Sequence, residues 1–273
     1  MTTVLLTGAN SGLGTATTAE LLRRGADVVT TVRGDEAEDE LRRGLADAGA
    51  STRRGLHVDR LDVTDPAACS AVVERHRPDV VVNNAGAALL GAVADIDDDE
   101  ARAQLDALVI GPMRLARLAV ASGSCRRVVQ VSSMVADGMV PFTGWYAAAK
   151  AALEAVSDVW RLELEARDVE VVVVECGAID TGVWQHAGEQ VTAGSDPSTA
   201  PARQRWSSLT ELLEPHFADP ADVGRTVAAA ALDDRPGAHL RTGFASSVPA
   251  WARLVPEPLR RAVVTRLLDL RPA

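Results

Sequence analysis

Short apolar runs alternate along this chain with stretches whose apolar positions recur every three or four residues, the pattern of buried strands separated by amphipathic helices. Thr3–Thr7 predicts a first strand. The Gly-rich turn from Gly8 to Gly14 follows at once and leads into a helix over about 15–24, closed by Gly25. A β-rich run over Asp27–Val32, a polar helix over about 35–48 and a strand over about 56–61 come next. Thr64 or Asp65 then caps a helix with Pro66 in its first turn, and 79–82 is a buried strand ending in Asn83-Asn84-Ala85-Gly86. The acidic cluster 95–100 has the form of a solvated helix start, with Asp97 and Glu100 at capping-box spacing, and opens a long helix to about Ala121. A strand over 127–132, a helix over 147–167 and a strand over 170–175 continue the alternation, which implies right-handed crossovers and a parallel sheet.

After Thr181 the regularity fails. Residues 182–220 are too long and too polar for a simple connection and predict an irregular, lid-like insertion. The pattern resumes with a helix from Pro220 and a last strand over His239–Thr242. In 258–270, Leu259, Ala262, Val263, Leu267 and Leu270 share one helical face, expected to pack on this domain or on a second subunit rather than on a membrane. No repeat, low-complexity tract or linker divides the chain, so the expected architecture is α/β: a doubly wound parallel sheet with helices on both faces. It forms one domain over 1–273, with an insertion at about 182–220 and a C-terminal extension at about 244–273.

Composition narrows the function classes. With 273 residues, 47% hydrophobic and 24% charged, the chain can bury a full core. Its net charge of -10 argues against nucleic acid or anionic lipid as the main partner. Cys69, Cys125 and Cys176 stand far apart, which supports neither a metal site nor a disulfide framework and makes a reducing cytoplasm the expected location. No basic leader and no apolar run of bilayer-spanning length is present, so neither export nor a membrane span is expected.

Basic charge is carried almost entirely by arginine: Lys150 is the only lysine, and the only tyrosine, Tyr146, stands four residues before it. On one helix that spacing places both side chains on the same face, where an ammonium beside a phenol favours the phenolate and makes it useful as an acid or base. Ser133 ends a strand at the sheet edge where ligands bind, and its hydroxyl suits the oxygen of a substrate. Gly8, Gly12 and Gly14, spaced G-x-x-x-G-x-G between a strand and a helix, can bring backbone N–H groups and a positive helix end to a pyrophosphate. The second predicted strand ends in Val32 and Arg33, without the acidic residue that would bond an adenosine ribose, and Arg33 suits a 2′-phosphate.

Taken together, T-G-A-N-S-G-L-G at 7–14, Asp62-Val63, N-N-A-G at 83–86, Ser133, Y-A-A-A-K at 146–150 and the C-G-A-I-D-T run from Cys176 resemble the short-chain dehydrogenase/reductase family, over nearly the whole chain from about Thr3 to Gly243. The resemblance implies a Rossmann-type sheet of seven parallel strands, a nicotinamide cofactor, a homodimer or homotetramer, and oxidation or reduction at a C–O centre. It implies that Ser133 polarises the carbonyl, Tyr146 transfers the proton and Lys150 holds the nicotinamide ribose. Gly8, Asn10, Ser11, Gly12, Leu13 and Gly14 would then receive the cofactor's phosphates, and Asp62 and Val63 would border the adenine. Asn84, Ala85 and Gly86 would line the ribose, and Ile179 and Thr181 would meet the carboxamide. Within the family a basic residue at the place of Arg33 favours NADP(H) over NAD(H).

Two positions depart from the family pattern. Leu108 stands where the family has an Asn that supports, partly through its carbonyl, a water-linked proton path to the lysine; Cys176 stands where a proline is usual and is read as a small buried residue. The leading expectation is an NADP(H)-dependent oxidoreductase of a ketone or secondary alcohol. Leu108 keeps open a non-redox cyclase, dehydratase or epimerase on the same fold. The third reading, a catalytically silent NADP-sensing regulator, has no need of Ser133, Tyr146 and Lys150 together. Trp184, Trp206 and Phe217 would form an apolar lid and Trp145 stands beside Tyr146, which suits a lipophilic ketone, or else each Trp packs as ordinary core.

Overall fold

The computed structural model describes residues 1–50, 55–138, 140–181, 183–194 and 196–270, with the backbone alone at 183–186. The first half runs β1 (Thr3–Thr7), α1 (Gly12–Arg23), β2 (Asp27–Val32), α2 (Asp35–Asp47), β3 (Leu56–Arg60), α3 (Pro66–His76), β4 (Val80–Asn83), α4 (Asp98–Leu105) and α5 (Gly111–Ala121). The second half runs β5 (Arg127–Ser133), α6 (Gly144–Leu164), β6 (Glu170–Cys176), α7 (Val183–Thr192), α8 (Ala200–Leu213), α9 (Pro220–Leu232), β7 (His239–Thr242), α10 (Val248–Ala252) and α11 (Glu257–Leu268). The strands form one seven-stranded sheet in the order β3-β2-β1-β4-β5-β6-β7, parallel throughout.

The inner strands are buried on both faces, which is why β1, β4 and β6 are nearly continuous apolar runs, whereas the edge strands β3 and β7 are half-exposed and mix polar with apolar residues. Val4 and Leu6 point into one core with Leu21, Leu41 and Val227 of α1, α2 and α9. Leu5, between them, points into the other with Val72, Leu115 and Ala119 of α3 and α5. Val80, Val82 and Val81 divide in the same way. The order of strands reverses between β1 and β4, so the carboxyl ends of these two strands open the crevice where ligands of such sheets bind.

Several helix boundaries differ from the expected ones. Helix α1 begins at Gly12 because Ser11 caps it, its Oγ accepting from the Gly14 N–H at 3.0 Å. Asp65, not Thr64, caps α3, while Thr64 donates to Asp62 at 2.7 Å. The capping box of Asp97 and Glu100 is formed as predicted, but the long helix it opens is broken by a π turn over Asp106–Ile110. Helix α6 begins three residues earlier than expected, at Gly144, so Tyr146 lies in its first turn.

The largest correction falls on 182–220, where the described residues form α7 and α8 instead of irregular chain. Ala187 with Val191 and Ala202 with Trp206 are spaced by one helical turn, and together with Leu90, Phe142 and Leu268 they make a third apolar cluster. In α11, Leu259, Val263 and Leu267 are exposed on the single chain, so this face does not pack on its own domain, and an adjacent face, through Val264 and Leu268, does. Among the described residues no helix is long and apolar enough to cross a membrane.

Candidate active site

The carboxyl end of β1 and the start of α1 form a cradle that side chains would fill. Gly8 has φ +69°, and a Cβ there would stand 2.7 Å from the Ala85 Cα. A Cβ at Gly14 would strike the Gly8 carbonyl oxygen, and one at Gly12 would stand 3.0 Å from Thr181 Cγ2. Only glycine permits this close approach of the backbone, and the first-turn N–H groups at the positive end of α1 adjoin it. Such N–H groups are chemically suited to a dinucleotide pyrophosphate.

The N-N-A-G segment braces that cradle. Thr7 Oγ1 accepts from the Asn84 and Ala85 N–H groups at 3.1 and 3.0 Å, and the Asn84 side-chain amide donates to the carbonyls of Thr7 and Gly8 at 2.9 and 3.0 Å. Thr7, the first residue of the T-G-A-N-S-G-L-G motif but not among the expected site residues, thus holds the N-N-A-G segment against the cradle. Leu13 points into the core with Val4 and Leu21, and Asn10 reaches away to Glu40 at 3.0 Å, so neither side chain faces the cradle. Ile179 is buried in the same core, and Thr181 closes on Gly12.

At the far ends of β2 and β3, Arg33 is exposed and enters no salt bridge among the described residues, whereas Arg60 is held by Asp35 and Glu38 at 2.5 and 2.8 Å. Hydrogen bonds from Thr64 hold the Asp62 carboxyl below its usual range, and the charge of Arg33 adds to that. Val63 is buried with its carbonyl bonded to Arg114 at 2.7 Å. Arg33 and Asp62 thus sit on one edge of the sheet beside the cradle.

Ser133, Tyr146 and Lys150 come together at the carboxyl end of β5. The Ser133 hydroxyl lies beside the Tyr146 phenol and acts to lower its pKa. Lys150 is buried, its Nζ donating to the Val131 carbonyl at 2.8 Å and standing 5.9 Å from the centroid of the Tyr146 ring. The expected phenolate is not what this arrangement favours. Burial pushes the Tyr146 phenol up to about 12 against the effect of Ser133, and burial pulls Lys150 down to about 8. The lysine spends its hydrogen bond on the strand rather than on the phenol, so the tyrosine is held protonated. Cys176, paired with Ser133 across the sheet, is a buried thiol pushed up to about 12, and so stays protonated and unreactive at neutral pH.

Leu108 lies within the π turn, buried, and packs where a Cβ on Gly86 would collide with it. Leu108→Asn is expected to cost about 1–3 kcal/mol in denaturant unfolding, because it puts an amide where apolar atoms now pack. An unchanged unfolding midpoint at unchanged slope would contradict that packing.

The geometry has counterparts in known proteins. Residues 2–192 match the model of the short chain dehydrogenase family. Dehydrogenase/reductase SDR family member 7B of Bos taurus is 33% identical over 195 residues, which are 67% of this chain and 60% of the bovine one. The match thus spans about three fifths of that relative's length. The NADPH-dependent 3-dehydrocapnine reductase of Ornithobacterium rhinotracheale is 32% identical over 197 residues, 67% of each chain. Among solved structures, a short-chain dehydrogenase from Streptomyces avermitilis superimposes with a TM-score of 0.75 at 27% identity, covering 98% of this chain and 97% of its own. One from Burkholderia cenocepacia, in complex with NADP, shares the fold with a TM-score of 0.74 at 21% identity, covering 99% and 98%. With a family match over most of its length and the glycine cradle formed, this chain belongs to the short-chain dehydrogenase family.

Proposed function

We propose that the protein is an NADP(H)-dependent oxidoreductase that reduces a ketone, or oxidises the corresponding secondary alcohol, of a lipophilic small molecule. The observation that carries this reading is the assembly of Ser133, Tyr146 and Lys150 at the end of β5, together with a strand–helix turn whose close backbone packing only glycine permits. The nicotinamide, when bound, supplies or takes the hydride. Ser133 offers its hydroxyl to the substrate oxygen, and Tyr146, protonated at neutral pH, is the group able to deliver a proton to that oxygen. Lys150 contributes its ammonium next to the phenol and is the residue to hold the nicotinamide ribose. Around the cradle, Ser11, Asn84 and Gly86 would receive the phosphates and ribose, Thr181 the carboxamide and Arg33 the 2′-phosphate. The printed name of the Ornithobacterium relative, an NADPH-dependent reductase, supports the same cofactor.

Tyr146 packs against the cluster of Leu90, Phe142, Ala187, Val191 and Trp206, which supports an apolar substrate covered by α7 and α8. Of the aromatic residues expected there, Trp206 is part of that cluster and Phe217 faces Phe244 instead, with ring centroids 6.3 Å apart. Trp145 adjoins Tyr146 with its indole N–H buried and unpartnered, and the side chain of Trp184 lies outside the described residues. Val156, Val159 and Leu162 are exposed along α6, a surface that suits the homodimer or homotetramer we propose. Three buried free thiols suit a cytoplasmic location.

The shifted groups predict the pH dependence of carbonyl reduction. Tyr146 stays protonated far above neutrality, so the limb belongs to Lys150, whose ammonium is lost near pH 8 in the free protein. The kcat/KM for reduction is expected to be flat on the neutral side and to fall on the alkaline side of about pH 8. A profile still flat at pH 10 would contradict this assignment. The non-redox reading has one observation in its favour, the apolar packing of Leu108 on Gly86 where the family carries a polar residue. Nicotinamide absorbance during turnover separates the two: it changes with product in the redox reading and stays constant in the other.

A further inference from the structure

Tyr146, Lys150 and Glu154 are spaced by four along α6 and form one stripe facing β5. All three face the end of that strand. Tyr146 lies beside Ser133, Lys150 Nζ donates to the Val131 carbonyl at 2.8 Å, and Ser132 Oγ donates to Glu154 Oε1 at 2.5 Å. Nothing in the chemistry proposed above uses the third of these contacts. We propose that Glu154 is a positioning residue for the catalytic set, fixing the end of β5 against α6 through Ser132 and supplying the buried negative charge that Lys150 faces. This inference rests on the catalytic reading of Tyr146 and Lys150.

The surroundings of Glu154 support a charge directed at the lysine. From β6, Glu175 faces it, with its oxygens taken by His239 Nδ1 at 2.9 Å and Arg241 Nε at 2.7 Å, both from β7. Beyond β5, Asp137 faces it and is paired with Arg253 at 2.9 Å and Arg241 at 3.4 Å. On its own helix Asp158 is bonded to His239 Nε2 and Arg161, each at 2.7 Å. The nearby cations are thus all paired to other carboxylates, and the bond recorded for Glu154 is the hydroxyl of Ser132. Burial pushes Glu154 up to about 7; the bond from Ser132 opposes this, the charges of Glu175 and Asp137 add to it, and His239 opposes it. Cys176 and Glu154 are the groups whose charges raise Lys150 against its burial, and Cys176 is an uncharged thiol at neutral pH. That leaves Glu154 to act there.

Glu154→Gln keeps the shape and an acceptor for Ser132 but removes the charge. The alkaline limb of kcat/KM is expected to move down by about half a pH unit or more, since the ammonium loses the charge it faces. The ligand-free protein gives a second readout. A carboxyl raised from 4.5 to about 7 contributes stability below its ordinary value that is lost as pH rises through about 7. The melting temperature of the native protein should therefore fall relative to Glu154→Gln as pH rises from about 5 to 8. Glu154→Asp should return the alkaline limb towards its native place. Ser132→Ala, which keeps the charge and cuts the contact, should lower kcat several-fold with the limb unmoved. A Glu154→Gln profile superimposable on the native one, with a melting difference independent of pH, would overturn the proposal. If that variant fails to fold, an unchanged kcat in Ser132→Ala overturns the positioning role. Full turnover in Tyr146→Phe would instead defeat the catalytic reading beneath it, whereas an inert Tyr146→Phe beside a native-like Glu154→Gln would defeat the role of Glu154 alone.

Discussion

Tyr146→Phe is expected to lower turnover by about 10²–10⁴-fold while leaving nucleotide affinity within a few-fold, as proton transfer by a positioned group is typically worth that much. The substitution removes one oxygen atom. The ring keeps its place against Leu90, Phe142 and Trp206, so the fold should be undisturbed and Lys150 should keep its bond to Val131. Lost with the oxygen is the proton donor held protonated by burial. Steady-state kinetics alongside nucleotide titration separate the two effects. Retained turnover would show that the proton comes from elsewhere, and the assignment of Tyr146 would fall.

Arg33→Ala is expected to lower kcat/KM with NADPH by about 10–100-fold and to leave NADH nearly untouched. Arg33 follows Val32, the last residue of β2, on the sheet edge beside the cradle, and β2 itself ends without an acidic residue for a ribose hydroxyl. Arg60, on the neighbouring strand, is already committed to Asp35 and Glu38, whereas Arg33 enters no salt bridge among the described residues. A charge-assisted bond of about 1.5–3 kcal/mol sets the size of the effect. The measurement is the ratio of kcat/KM for the two cofactors in both proteins. Equal efficiencies in the native protein, or a ratio unchanged by the substitution, would remove Arg33 from the 2′-phosphate.

The parts legible in the sequence were those where local pattern and tertiary environment agree. All seven strands could be read: the inner ones because burial on both faces demands apolar runs, as Val80, Val81 and Val82 show, and the edge strands β3 and β7 from their place in the strand–helix alternation. The glycines were legible because each departs from what a strand or helix prefers. Helix starts were less so: Gly12 and Gly144 lie inside helices although glycine disfavours them, and only the Ser11 cap and the packing around Tyr146 account for it. The π turn at Leu108 left no trace, since five residues of helix-like pattern look alike whichever bonds they close. Gly, Ser, Pro and Asp between 182 and 220 masked the one-turn spacing of Ala187 with Val191 and of Ala202 with Trp206, a signal present in the sequence but weaker than its polar surroundings. The charge state of Tyr146 was misread for another reason. Spacing reveals that a lysine is near, but how much water the fold removes from both groups decides which effect wins, and here burial does.

Transfer of hydrogen between cofactor and substrate tests the central claim most directly. The native protein would be incubated with NADPH deuterated at the reactive carbon of the nicotinamide and with a panel of lipophilic ketones, and the products analysed by mass spectrometry. Deuterium on the carbinol carbon, in step with cofactor oxidised and abolished in Tyr146→Phe, is the predicted result. Substrate converted without label and without consumption of NADPH, or NADPH bound tightly with every carbonyl left unchanged, would contradict the account.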